Sequence, residues 1–244
     1  MNSDTILDES HIVTSFDRDL ESIQAQIMKM GGLVEEAILK AAQSLNDRDE
    51  EAAEKVRNSD KAIDALENQI NEGAAQIIAL RAPTASDLRV ILSVMKISGN
   101  LERIGDYAKN MAKRTGVLVQ MAPINGSHTA IRRMAREVQL MLKDALDAYI
   151  QRDADLARDV IARDEDVDQM YNALFREFLT FMMEDPRNIT ACMHLHFIAK
   201  NTERMGDHVT SIAEQVVYLV ECTLPDESRP KGDKTSFDAD LGEV

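Results

Sequence analysis

Residues 99–110 read GNLERIGDYAKN, and residues 200–211 read KNTERMGDHVTS. Both hold the frame N-x-E-R-[IM]-G-D, at Asn100–Asp106 and again at Asn201–Asp207. In each copy two carboxylates stand four residues apart, Glu102 with Asp106 and Glu203 with Asp207. On a helix that spacing puts both on one face, a turn apart, where like charges repel.

Reading outward from the frame, the second half of the chain restates the first. LNDRDEEAAEKVRNSDKAID (Leu45–Asp64) returns as YIQRDADLARDVIARDEDVD (Tyr149–Asp168) at an offset of 104, and the N-x-E-R frames return at an offset of 101. A three-residue contraction reconciles the two. The repeating unit is about a hundred residues, the usual size of a domain. This divides the chain into an N-terminal tail (1–10), a first unit (11–121), a second unit (122–222) and a C-terminal tail (223–244).

Within a unit the apolar residues recur at helical spacing, predicting three helices. In the first unit these cover about residues 16–45, 50–80 and 86–119. Pro83 separates the second from the third, and Thr84 with Asp87 resembles a capping box. APINGS (Ala122–Ser127) parts the units with Pro, Asn-Gly and a Ser cap. Asp185-Pro186 places an N-cap ahead of Pro at the first helical position. Gly31-Gly32 falls inside the first helix, either kinking it or permitting close packing. Helices of about 30 residues are about 45 Å long. The expected fold is all-α: two tandem three-helix repeats forming an elongated six-helix bundle. The polar stretch from Leu224 carries Pro and Gly and is expected to be disordered.

Composition agrees. Aromatics are 4 % and Trp is absent, while Ala, Leu, Met, Glu, Lys and Arg dominate, a usage that favours helix. The net charge of −15 argues against nucleic acid as a partner and favours cations or basic surfaces. Cys192 and Cys222 form no C-x-x-C and read as reduced, mostly buried thiols. The acidic N-terminus has no apolar core of signal-peptide length, and no apolar run approaches the ~20 residues of a membrane span. A cytoplasmic protein is expected, meeting a membrane only through protein partners.

On a helical wheel Ile97, Ile104, Ala108 and Met111 lie opposite Glu102 and Asp106. Ile198, Met205, Val209 and Ile212 lie likewise opposite Glu203 and Asp207. The acid pairs are therefore expected on a surface or groove. The preceding helix of each unit carries its own pair, Asp60 with Asp64 and Asp164 with Asp168. Antiparallel helices joined by a short turn meet at positions equidistant from it. The first set is centred on Pro83 and the second near Pro186, so each hairpin brings four carboxylates to one level. At an effective dielectric of 20 and about 6 Å, each close pair costs roughly 3 kcal/mol. Arg103 and Arg204 point about 100° away, at the edge. A hard cation with oxygen ligands meets the charge problem more directly. A single such pair is usually a solvated helix face; two per repeat, level across both hairpins, favour a cation site. His194 and His196 read as packing or surface residues, and His208 sits about 100° round the helix from Asp207. No nucleophile–base order and no Gly-rich phosphate loop is present.

SGNLERIGDYAKNMAKR and AKNTERMGDHVTSIAEQ closely resemble the paired signature of the PhoU family, accessory regulators of phosphate-specific transport. PTASDLRVILSVMKISGN and MGGLVEEAI are similar too, and the resemblance runs from about residue 10 to 222. It implies two three-helix repeats with pseudo-twofold symmetry and surface multinuclear metal clusters. Carried over, the ligands are Asp60, Asp64, Glu102 and Asp106 for one cluster and Asp164, Asp168, Glu203 and Asp207 for the other. Iron, zinc, nickel, magnesium and manganese are associated with such proteins; all-oxygen ligation favours Mg, Mn or Fe over Zn. The resemblance further implies a homodimer without enzymatic activity. Such a protein is a negative regulator of phosphate uptake and the phosphate-starvation regulon, linking a phosphate ABC transporter, through its ATPase subunit, to a sensor histidine kinase. A carboxylate-bridged metal-dependent hydrolase is the alternative.

Overall fold

A computed structural model describes residues 4–223, with side chains from residue 18 onward; the tail from Leu224 lies outside them. Six long helices follow one another: α1 (Asp4–Asp47), α2 (Glu50–Arg81), α3 (Ala85–Leu118), α4 (Ser127–Gln151), α5 (Ala154–Glu184) and α6 (Ile189–Glu221). A single 3-10 turn, Pro186–Asn188, links α5 to α6. The architecture is the expected all-α bundle. α1 starts earlier than residue 16, because no Pro or Gly interrupts residues 4–30.

The short connections show why the chain turns where it does. Arg48 and Arg152, equivalent in the two repeats, both adopt the left-handed conformation (φ 56° and 55°). The following Asp49 and Asp153 then cap α2 and α5, accepting from the amides of Ala52 and of Asp155 and Leu156. A non-glycine residue in this region is strained, and Arg48 offsets the strain by donating from Nη2 to the carbonyls of Val119 (2.9 Å) and Met121 (2.6 Å). At the α2–α3 turn Thr84 is the N-cap residue, but its hydroxyl donates to Asp87 (2.7 Å) instead of accepting a backbone amide. Between the repeats the N-cap position falls on Gly126 (φ 80°), with Ser127 already helical. Asp185 caps the final turn, with Pro186 at its first position, as expected.

α1, α2 and α3 pack as one three-helix unit and α4, α5 and α6 as the other. The units join through α1 against α4 and α3 against α6. Four helices (α1, α3, α6, α4) therefore form a central ring, with α2 and α5 on its flanks. Both joints are antiparallel. Along α3–α6, Arg89 meets Tyr218, Asn100 meets His208 and Arg114 meets His194. Along α1–α4, Glu35 accepts from Gln139 (2.7 Å) and Asn46 from Thr129 (3.4 Å). Glu35 and Gln139 are themselves related by the repeat offset, so the pseudo-twofold passes there. On the opposite side it passes beside Ile104 and Met205, the variable position of the frame, both wholly buried. The apolar stripes read from the wheel, Ile97/Ile104/Ala108/Met111 and Ile198/Met205/Val209/Ile212, are all in the core.

Glycines set three of the close approaches. α1 runs unbroken through Gly31-Gly32, so this pair does not end the helix. A Cβ on Gly31 would overlap the Leu146 side chain of α4, whereas one on Gly32 would meet nothing within 4 Å. In the frame, a Cβ on Gly105 would lie 3.0 Å from Ile63 Cδ1, and one on Gly206 3.1 Å from Asp164 Oδ1. The Gly of N-x-E-R-x-G-D thus lets the preceding helix lie close. Among the described residues, no helix is long and apolar enough to cross a membrane.

These contacts separate the glycines by consequence. Gly206→Val should cost about 1–3 kcal/mol through overpacking, and Gly32→Ala should stabilise by about 0.5–1 kcal/mol. Urea unfolding of both variants checks the opposite signs.

Candidate functional site

The side chains flagged by the frame meet in the α2–α3 and α5–α6 grooves. In the first, Lys109 of α3 pairs with Asp60 of α2 and, at 3.4 Å, with Asp106 of its own helix. Asp64 feels the charges of Asp60, Lys109 and Asp106. In the second groove Lys200 donates to Glu203 (2.8 Å), which also feels Asp207 and Asp168. The hairpins therefore bring both acid pairs to one level, as their symmetry about Pro83 and Pro186 requires.

The carboxylates lie in grooves, as expected, but at unequal depth. Asp60, Asp164, Asp168 and Glu203 are buried, at 3, 7, 6 and 6 % exposure, while Asp64, Glu102, Asp106 and Asp207 are half-buried. Asp60 and Asp164 are buried against the frame glycines, their oxygens 3.6 and 3.1 Å from where a Cβ on Gly105 and Gly206 would stand. Two oxygens are left without a hydrogen-bond partner, Asp60 Oδ1 and Glu203 Oε2. A buried, unpartnered carboxylate oxygen is costly.

Burial and crowding also hold protons on these groups. Glu102 is pushed up to about 7, first by burial and then by Asp106 and Glu67. Glu203 is pushed up to about 7 by burial, with Asp207 and Asp168 adding to it and Lys200 opposing. Asp64 is raised by burial and by Asp60 and Asp106. Lys109 is raised, chiefly by its hydrogen bond to Asp60.

Three participants escaped the sequence reading. Lys109 lies three residues after Asp106, and Lys200 three residues before Glu203, both at helical contact spacing. They break the pseudo-symmetry: Lys109 corresponds to Thr210, and Lys200 to Gly99. The third is Glu67, which crowds Glu102 in the first groove. Its counterpart is Tyr171, whose ring lies beneath the Lys200 ammonium at 4.8 Å. The first groove thus gathers five carboxylates, the second four. Arg103 reaches Glu102 only at 3.8 Å and stays largely exposed, at the edge as expected.

In their present rotamers, no three His, Cys, Asp or Glu side chains among the described residues converge on one point closely enough to hold a metal ion. Lys109 and Lys200 take the positive position beside the carboxylates. The donor set still suits a hard cation, being all oxygen, and the orphaned Asp60 Oδ1 and Glu203 Oε2 are the atoms such a cation would satisfy.

Of the two histidines read as packing or surface residues, His194 meets the Arg114 guanidinium, Nδ1 to Nη1 3.3 Å. His196 stacks among Tyr171, Phe175 and Phe197. His208 sits by Tyr107, its repeat counterpart, with ring centroids 5.7 Å apart. Its Nδ1 is 2.8 Å from Asn100 Oδ1. The residue after each frame's Asp thus meets its own copy across the α3–α6 joint. Of the thiols, Cys192 is buried and Cys222 exposed, both free; Cys222 is exposed because it closes the C-terminus of α6.

The sequence matches the PhoU domain family twice, over residues 27–115 and 131–216. The chain belongs to the PhoU family. It is 42 % identical over 230 residues to the phosphate-specific transport system accessory protein PhoU homolog of Rhizobium meliloti (strain 1021), covering 94 % of this chain and 97 % of that one. The crystal structure of PhoU from Pseudomonas aeruginosa superposes with a TM-score of 0.83 at 40 % identity, over 85 % of this chain and all of that one. The phosphate transport system regulatory protein PhoU from Streptococcus pneumoniae gives 0.80 at 31 % identity, over 86 % and 99 %. The two matched segments coincide with the two three-helix units of this PhoU-family fold.

Raised acid groups give a sign for pH dependence in chelator-treated protein. Between about pH 4.5 and 7 the folded state binds protons that the unfolded state has released, so stability falls as pH rises through that window. Glu203→Gln should therefore stabilise the fold at pH 8 by about 1–3 kcal/mol. The gain should vanish near pH 4.5. Urea midpoints for both proteins across this range test it.

Proposed function

We propose that this protein is a non-enzymatic accessory regulator of phosphate uptake. The observation that carries the reading is the doubled PhoU domain, together with 42 % identity along nearly the whole length of an accessory protein of phosphate-specific transport. In this reading the protein is a cytoplasmic homodimer. It restrains the phosphate ABC transporter, through the transporter's ATPase subunit, and reports phosphate sufficiency to a sensor histidine kinase. Deleting its gene in the native host should derepress alkaline phosphatase in high phosphate. Unchanged repression in the deletion strain overturns the proposal.

The two grooves are metal sites in the same reading. Asp60, Asp64, Glu102 and Asp106 hold one set of ions, and Asp164, Asp168, Glu203 and Asp207 the other. What a bound iron, manganese or magnesium supplies is charge neutralisation, replacing that of Lys109 and Lys200. The chain's part is to hold carboxylates level across each hairpin and exclude water from Asp60 and Glu203. Glu102 and Glu203, pushed up to about 7 and so about half protonated at neutral pH without an ion, would release those protons to bind one. Elemental analysis after growth with iron and manganese should find metal in the wild type and a loss in Glu102→Ala/Glu203→Ala. Metal-free wild type would remove the cluster claim and leave the regulatory role standing. Lys109→Ala should raise affinity at the first groove, since it removes a competing cation.

A further inference from the structure

On the side opposite the acidic grooves, where α1 packs on α4, three arginines of α4 cluster at the surface. There an open groove of about 620 Å³ is lined by Leu39, Lys40, Gln43, Arg132, Arg133 and Arg136. All three arginines are exposed. Among the described residues none of the three forms an ion pair, whereas Arg57, Arg158, Arg163 and Arg187 all do. Arg136 spends its guanidinium on the neutral amide of Gln139 (2.8 Å). The nearby carboxylate Asp47 is hydrogen-bonded by Asn46 and Gln43 and feels the charge of Arg132 only at longer range. Three guanidinium groups without an ion pair at contact distance, within one and a half turns, are notable in a chain of net charge −15. Their aliphatic stems, with Leu39, give the groove an apolar floor.

We propose that this groove docks the chain's own acid-rich segment Ser236–Val244, SFDADLGEV. That segment carries Asp238, Asp240 and Glu243 with no basic residue, and Phe237, Leu241 and Val244 recur at spacings of four and three. Carboxylates for the guanidinium fork and apolar side chains for the floor are the complement this surface lacks. Reach permits it. α6 ends at Glu221, paired with Arg158 near the start of α5. That is the end of the molecule where α4 stops, at Gln151. From there to Arg132–Arg136 is about 22–28 Å along α4, plus about 10 Å around the bundle. Residues 224–235 span up to about 40 Å when extended. Tethering raises the local concentration of the segment to the millimolar range, enough to favour docking by a weak peptide site.

Hydrogen exchange on the full chain tests this. At 50 mM salt, amides of residues 237–244 should exchange three- to tenfold more slowly than an unstructured peptide of that sequence. The protection should not change with protein concentration, and 500 mM salt should remove it. Arg132→Glu/Arg133→Glu/Arg136→Glu, with an unaltered melting curve, should abolish it. Adding Asp238→Arg, Asp240→Arg and Glu243→Arg to that variant should restore it. Unprotected amides in the wild type would overturn the proposal. So would protection that survives the folded triple variant, or that fails to return on charge reversal. Protection that grows with concentration would assign the groove to a second copy and overturn docking within one chain.

Discussion

The structure depends on how close two antiparallel helices can come at one glycine in each repeat. Gly105 faces Ile63 and Asp60, and Gly206 faces Asp164 and Val167, at distances where an added Cβ would push the facing side chains back by a few tenths of an ångström. That approach buries the apolar stripe behind the frame, and it also buries Asp60 and Asp164 against the frame glycines. Packing and charge are therefore opposed at the same point. The energy gained by burying Ile104 and Met205 at the centre of the bundle is what tolerates buried acid groups a turn away.

How each groove answers its charge shows duplication followed by divergence. The acid pairs, the glycine, the left-handed arginine and the aspartate caps recur in both units. The ammonium groups do not. Lys109 enters from one side of the first frame and Lys200 from the other side of the second, the latter resting on Tyr171 where the first groove has Glu67. Neither arrangement satisfies every oxygen, since Asp60 Oδ1 and Glu203 Oε2 remain unpartnered. The carboxylate geometry is common to both repeats, and the lysines are local solutions.

The ring of α1, α3, α6 and α4 gives the molecule two faces. One presents the acid grooves on either side of the Tyr107–His208 contact; the other presents the arginines of α4 beside α1. An acidic protein with a local arginine cluster on one side presents surfaces of opposite sign on its two faces.

Much of this was legible in the chain alone. Periodicity of 3.6 determined the six helices, Pro83 and Pro186 determined the hairpins, and the doubled frame determined that four carboxylates would meet twice. These are local or symmetric features, dictated by backbone geometry and by equal distances from a turn. The depth of those carboxylates was not legible, because burial depends on how near a second helix lies, and a wheel describes one helix only. Lys109 and Lys200 were visible at contact spacing, yet which lysine turns inward is decided by the facing helix. The joints between repeats, and with them the arginine groove, belong to the tertiary structure alone. α1 meets α4 across about a hundred residues of chain, and only the packing of the whole bundle brings them side by side.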